Sequence, residues 1–265
     1  MIQLKVKGKN RRKLFFLLLF GAFICPMQGQ SDVKPESSNS SKSMLMNDST
    51  VTDIDGNIYH TVTIGDQTWM VENLKTSHYR NGEAIPNLKV DSIWVSASVG
   101  AWCNYNNDSL NDSKYGKLYN YFAIEDTRNL APVGWHLPTC FEWAILEDYL
   151  KIIGFKLNNK SDIKDSEINI ANLLAAPTDW AKCTEPGSVG NEQTQKNQTG
   201  FYGLPCGYRS QNGPFKSISK SGHWWCVNIS NNMLVLSHNL SYDTNALESS
   251  LGFKWRGLSV RCVKD

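Results

Sequence analysis

No C-x-x-C pair occurs in the sequence, which removes the usual frame of a zinc site or a thioredoxin-like redox centre. G-x-S-x-G, H-E-x-x-H and Walker-type loops are also missing, so the common signatures of esterases, zinc proteases and nucleotide hydrolases are absent. No apolar run approaches the roughly 20 residues that span a bilayer, the longest being the eleven residues Leu14 to Ile24. Beyond that run there is no stretch of five or more Lys/Arg, which argues against a surface for nucleic acid or anionic membrane. No period of 20 to 50 residues recurs, and this excludes a solenoid or propeller.

The charge that is present is unevenly placed. Lys5, Lys7, Lys9, Arg11, Arg12 and Lys13 precede the apolar run, and together they read as an export signal over residues 1–30. No A-x-A-like pair of small residues marks the cut, and cleavage is expected near Gly29. The rival is lipidation at Cys25, which ends the apolar run, although Ile24 just before it fits that pattern poorly. Taking away the six basic residues of this leader leaves 21 Lys+Arg against 25 Asp+Glu, a net charge of −4. Residues 31–50 are rich in Ser and Asn and poor in apolar groups, as in a disordered tether. With 41% apolar and 11% aromatic residues, the rest can bury a substantial core.

The best-defined element is GWHLPTCFEWAILEDYL, Gly134 to Leu150. Thr139 and Glu142 form a capping box, in which each side chain can satisfy the other's backbone N–H. The apolar face is expected to comprise Phe141, Ile145, Leu146, Tyr149, Ile152 and Ile153, with Pro138 barring helix upstream and Gly154 stopping it. A weaker helix is expected with Asp165 or Ser166 as cap, Ile168, Leu173 and Leu174 as its apolar face, and Pro177 as its end.

Before the first helix, VTDIDGNIYHTVTIGDQTWMVENL breaks at Asp55-Gly56 and Gly65-Asp66 and predicts two successive hairpins from Val51. Asp53, Asp55 and Asn57 look like the start of a calcium loop, but Ile58 and Ile64 stand where its Gly and Glu belong, so a turn is expected. His78 to Tyr121 predicts ordered loop around isolated aromatics, and Cys183 to Gln198 polar loop. The C-terminal third reads as strands at Phe201–Arg209, His223–Ile229, Met233–Asn239 and Gly257–Val263, with a turn at Asn231-Asn232. Trp224, Trp225 and Trp255 are expected in the core.

Once Cys25 is set aside, Cys103, Cys140, Cys183, Cys206, Cys226 and Cys262 remain. An even number in an exported chain suggests disulfides, but six cysteines allow 15 pairings and spacing alone does not choose among them. The histidines, His60, His78, His136, His223 and His238, lie singly. His136 and Cys140 straddle Pro138 and a helix cap, so they share no helical face; His136 is expected to order its turn and His223 to flank a core strand. Neither a metal nor a cofactor is expected.

AWCNYNND (Ala101–Asp108), YGKLYNYFAI (Tyr115–Ile124), LAPVGWHLPT (Leu130–Thr139), GFYGLPCGYR (Gly200–Arg209), GHWWCVN (Gly222–Asn228) and LSVRCVKD (Leu258–Asp265) occur in that order. Together with the opening hairpin segment they resemble the Fibrobacter succinogenes major paralogous domain, over about 51–265. That family is similar to the C-type-lectin-like fold, and its LPT-x-x-EW stretch to formylglycine-generating enzymes. The resemblance implies an α+β domain with two helices, a twisted, loop-rich antiparallel sheet and chain ends close together. Cys103 and Cys262 match positions where the family often has cysteine, so the resemblance implies that they pair; Cys140, Cys206 and Cys226 are departures from its pattern.

The lectin-like calcium triplets are absent, since Glu185-Pro186-Gly187 lacks the amide and Trp225-Cys226-Val227 lacks Asn and Asp. In lectin-like folds exposed C-terminal loops carry ligand, which directs attention to Tyr208, Arg209, Gln211, Asn212, His238, Tyr242 and Asn245. The expectation is a non-catalytic module, secreted or in the cell envelope, that binds an extracellular glycan or protein. Nucleic acid is not expected as a partner, and a membrane only through a lipid anchor. The alternative is an enzyme of the formylglycine-generating lineage that uses a cysteine or a metal.

Overall fold

A computed structural model describes residues 49–158, 169–193, 195–227 and 234–265. The leader, Cys25, nearly all of the tether, Asp165, Ser166, Ile168 and the Asn231-Asn232 turn lie outside the described residues.

The opening segment forms the two expected hairpins, through β1 (Thr50–Thr52), β2 (Ile58–Ile64) and β3 (Gln67–Met70). Asp53 builds the first turn: its carboxylate accepts from the backbone N–H of Asp55 and Asn57 at 3.0 and 2.9 Å and from the Tyr59 hydroxyl at 2.5 Å. This is Asx-turn chemistry, with the acidic side chain spent on its own backbone. The second turn needs Gly65, whose φ of 63° is left-handed and whose missing Cβ would lie 3.0 Å from the Tyr149 ring.

Residues 78–121 are more regular than the expected loop. They contain α1 (Asp91–Val95), β4 (Trp102–Cys103), α2 (Leu110–Tyr115), β5 (Leu118–Tyr119) and the start of α3 (Tyr121–Ile124). Asn120 caps α3 by accepting from Ala123 N at 3.1 Å, and it also accepts from Ala101 N at 2.9 Å. One of the polar residues read as a loop former, Asn120, is therefore a helix cap.

After β6 (Trp135–His136) comes α4 (Cys140–Asn158), the long helix. Its capping box is formed: Thr139 N donates to Glu142 Oε2 at 2.8 Å, and Glu142 N to Thr139 Oγ1 at 3.2 Å. Its buried face matches the expected one in part. Leu146 is fully buried and Tyr149 and Ile153 pack half-buried against the core as expected, whereas Phe141, Ile145 and Ile152 are 73, 40 and 52% exposed and Trp143 and Leu150, outside the expected face, are fully buried. A disulfide between Cys140 and Cys226 ties the first residue of α4 to the chain just after a core strand. Positions 143, 146, 150 and 153 then follow Cys140 on the inward face at helical spacing. Gly154 does not stop the helix, because it is not among the positive-φ glycines and the cap at that position needs one.

The next helix, α5 (Ile170–Leu174), follows Asn169 and ends at Ala175, two residues before Pro177. The C-terminal third supplies β7 (Cys206–Arg209), β8 (Phe215–Ile218), β9 (Ser221–Trp225), β10 (Leu234–Ser241), β11 (Glu248–Phe253) and β12 (Val263–Lys264). The strands expected at 201–209 and 257–263 are shorter than predicted, because Pro205 has no N–H to give a ladder and 257–259 make only isolated bridges.

Two five-stranded sheets result, ordered β1-β2-β3-β12-β6 and β11-β10-β9-β7-β8, with β4 and β5 as a separate pair. All named ladders are antiparallel except β7 with β9. The first and last strands of the described chain share a sheet. The architecture is α+β, with five α-helical segments rather than two among the described residues. One core cluster gathers Trp69, Trp143, Phe201 and Trp224 between α4, α5 and both larger sheets; a second holds Tyr59, Tyr119, Trp135 and Trp225. Trp224 and Trp225 are buried as expected, whereas Trp255 is half-buried, with its indole N–H bonded to Ala97 O at 2.9 Å.

Candidate functional site

The seven loop residues singled out in the sequence do not converge. Arg209 lies in β7 and is fully buried: it donates to Leu88 O and Lys89 O at 2.6 and 3.0 Å, pairs with Asp91 at 2.7 Å and stacks against Trp94 and Phe215. His238 is also buried, in β10, with its ring stacked on Trp143 at 4.9 Å. Burial pushes its pKa down to about 4, so it is a neutral core residue. Tyr208 lies in β7 beside Arg209, so three of the seven, Tyr208, Arg209 and His238, are in strands rather than in loops. Tyr242 O accepts from Gly190 N in the loop of residues 183–191, whereas Asn245 contacts the start of α5, with Nδ2 donating to Asn169 Oδ1 and its carbonyl accepting from Ala171 N. Gln211 is half-buried and Asn212 exposed in the turn between β7 and β8.

A different set of residues does converge. His60 of β2, Val71 and Glu72 after β3, Lys114 of α2, Asp179, Tyr202 and Leu204 line a slot of about 380 Å³. Beside it lie a hydrogen bond between His60 Nδ1 and Glu72 Oε1 at 2.7 Å and an ion pair between Lys114 Nζ and Asp179 Oδ1 at 2.5 Å. Hydrogen bonding by Lys114 holds the Asp179 carboxyl below its ordinary pKa, and the same bond raises Lys114, so this pair is charged.

Backbone conformation marks the slot as well. Tyr202 has φ 57° and Asp179 φ 75°, both in the left-handed region that non-glycine residues seldom occupy. For Tyr the cost is roughly 1–2 kcal/mol, and the surroundings hold it there. Asn197 Oδ1 accepts from Tyr202 N at 2.7 Å, while Arg261 donates to Tyr202 O at 2.9 Å and to Phe201 O. Arg261 is itself fully buried, stacked on Phe201 at 4.1 Å and bonded to Asn73 Oδ1 at 3.0 Å, with no carboxylate partner among the described residues. A buried guanidinium is thus spent on two carbonyls, and the result is a Tyr202 side chain left 36% exposed in the slot. The sequence signal was a tyrosine between Gly200 and Gly203 just before Pro205, a setting for an unusual turn that the strand reading passed over.

A model of the Fibrobacter succinogenes major domain matches residues 62–264. The chain belongs to the Fibrobacter succinogenes major domain family. No curated protein and no solved structure matches it. Every slot residue except His60 lies inside the family match, as do the six cysteines discussed above.

The disulfide pattern corrects the one implied by the family resemblance. Cys140 pairs with Cys226, whereas Cys103 and Cys262 are buried thiols in separate core clusters. Cys206 is likewise a buried thiol, 3.2 Å from Ser259 Oγ, and Cys183 is a half-buried one. Burial raises the pKa of Cys103, Cys206 and Cys262 and so disfavours their thiolates. His136 lies in β6 rather than in a turn, with Nε2 2.6 Å from Glu142 and Nδ1 2.7 Å from Asp265.

Proposed function

We propose that this chain is an exported, non-catalytic binding module of the cell envelope or its surroundings, with a C-type-lectin-like domain that takes a glycan in the Tyr202 slot. The basic leader and the Ser-rich tether support export. The lectin-like reading rests on the family resemblance and is consistent with a long helix and two five-stranded sheets, one of which holds both the first and the last strand of the described chain.

The observation that carries the binding role is Tyr202, an aromatic side chain held in a costly backbone conformation by a buried arginine and presented at a slot. Strain of this kind persists where the surroundings over-determine it, and it concentrates at functional sites. The chemistry of the walls selects the ligand class. Val71, Leu204 and the Tyr202 ring give an apolar floor, while Glu72 and Asp179 can accept and Lys114 and His60 can donate. Both signs are present and paired, so neither a net anion nor a net cation is favoured. A neutral sugar meets the requirements, because its C–H face stacks on an aromatic ring while its hydroxyls both donate and accept.

The test is an array of neutral and acidic glycans probed with the purified chain lacking residues 1–29. Binding of neutral glycans, lost in Tyr202→Gly, is the expected result; equal binding by the variant removes the slot from the account. The alternative is an enzyme using a cysteine or a metal; among the described free thiols Cys183 is the one not fully buried, and a turnover abolished by Cys183→Ser or by a chelator would favour it.

A further inference from the structure

Among the described arginines outside the slot, Arg256 stands apart, because the guanidinia of Arg80, Arg128, Arg209 and Arg261 all have hydrogen-bond or carboxylate partners. The Arg256 guanidinium lies over the Tyr208 ring at 4.8 Å, half-buried, and among the described residues it has neither a carboxylate nor a hydrogen-bond partner. Backbone pairing places it: Arg209 N donates to Gly257 O and Gly257 N to Arg209 O, each at 2.9 Å, so residue 256 lies opposite residue 210 and its side chain reaches diagonally to Tyr208. Gly252 of β11 makes room on the other side. A Cβ at that position would come 2.6 Å from Arg256 Cδ and 2.7 Å from Nη1. The guanidinium therefore packs directly on strand backbone.

Its neighbours carry the same sign or none. Lys216 stands opposite Tyr208 in the β7–β8 register, which puts both side chains on one sheet face; it is exposed and forms no ion pair among the described residues. Under Tyr208 lies His223, ring to ring at 4.7 Å and buried, with Nε2 2.8 Å from Ser221 Oγ and Nδ1 without a partner. Following the ladder outward, His223 faces Asn239, and Asn239 faces Glu248. That carboxylate accepts from Asn239 Nδ2 at 2.9 Å, so it is already engaged. A guanidinium partly out of water and unmatched by any acid is costly unless something else supplies the anion.

We infer that Arg256, Tyr208 and Lys216 form a binding site for an oxyanion, a carboxylate or a phosphate or sulfate ester, separate from the Tyr202 slot. Arg256 supplies a planar fork of donors, the Tyr208 hydroxyl a further one, and Lys216 a mobile charge at the edge. Burial lowers the pKa of Arg256, and with the Arg256 charge it depresses His223 to about 3, as expected where a positive charge is left uncompensated. An acidic substituent on a polysaccharide or an acidic peptide end would both offer the required group. Loss of this site leaves neutral-sugar binding in the slot intact, so the two proposals fail separately.

The chain lacking residues 1–29 is followed by ¹H–¹⁵N NMR while acetate, glucuronate, inorganic phosphate or methyl sulfate is added against a chloride control at matched ionic strength. At least one oxyanion should shift the signals of Tyr208, Lys216 and Arg256 and the His223 ring, with Arg256→Gln weakening it by roughly tenfold or more. Arg256→Lys, which keeps the charge and loses the fork, should retain part of the affinity and checks that loss in the Gln variant is not misfolding. The first two probes against the last two tell a carboxylate from a tetrahedral ester. Shifts no larger than with chloride, or an unchanged affinity in a folded Arg256→Gln, would overturn the assignment.

Discussion

Asp265, the last residue, places its carboxylate 2.7 Å from His136 Nδ1, and the opposite ring nitrogen lies 2.6 Å from Glu142 in the first turn of α4. The imidazole thereby clasps the C-terminal strand to the N-terminus of the long helix. Burial alone would lower the His136 pKa, but the bonds to Asp265 and Glu142 outweigh it and the net shift is upward. For Glu142 burial would raise the pKa, and the bonds from Thr139 and His136 reverse it.

A raised histidine contributes stability that is complete below its unfolded pKa of about 6.5 and is lost as pH rises through the folded value. A depressed carboxylate contributes above its unfolded pKa of about 4.3 and is lost on acidification. The clasp is therefore strongest between those two values. His136→Ala should cost about 0.5–1 kcal/mol near pH 5.5 and less near pH 8, a modest figure because the ring is 34% exposed and Asp265 58%. Denaturant midpoints across pH measure it, and a cost that grows toward pH 8 would contradict the sign.

The disulfide encloses a long loop, Cys140 and Cys226 being 86 residues apart. Its removal in the Cys140→Ala, Cys226→Ala pair should cost roughly 2–4 kcal/mol. Differential scanning calorimetry with and without reductant checks this. Peptide mapping should recover one Cys140–Cys226 linkage, with Cys183 alkylated in the native state and Cys103, Cys206 and Cys262 only after unfolding. A Cys103–Cys262 linkage would contradict the structure.

Rotation of α4 can be tested by two truncations that a helical wheel would rank the other way. Trp143→Ala removes a fully buried indole and should cost roughly 3–5 kcal/mol. Phe141→Ala should change stability by only about 0.5 kcal/mol, because the ring is largely in solvent. Urea unfolding of both variants gives the comparison.

Tyr202 offers an inversion of the ordinary Gly/Ala order. At a left-handed position Tyr202→Gly should be more stable than Tyr202→Ala by about 1 kcal/mol, since both lose the ring and only alanine keeps the backbone cost. Equal stability of the two variants would mean that the backbone relaxes and stores nothing.

Local signals account for what the sequence disclosed. The Asp55-Gly56 and Gly65-Asp66 turns, the Thr139–Glu142 box and the burial of Trp224 and Trp225 each follow from a few neighbouring residues. Long-range choices stayed hidden. Phe141, Ile145 and Ile152 compete with Trp143 and Leu150 for the inward side of one helix, and the contacts that choose, from Trp143 to Trp69, Phe201 and Trp224, are all distant in sequence. Arg209 looked like a surface ligand contact because nothing nearby announces Asp91 or Trp94, more than 100 positions earlier. The slot was illegible for the same reason: His60, Lys114, Asp179 and Tyr202 come from four separated segments, and Arg261 holds Tyr202 from the far end of the chain.

Where a ligand binds decides the account most directly. Chemical-shift mapping with a neutral glycan recovered from the array should move the signals of Val71, Glu72, Lys114, Asp179, Tyr202 and Leu204. Shifts confined to Gln211, Asn212, Tyr242 and Asn245 would return the site to the C-terminal loops and contradict the Tyr202 slot.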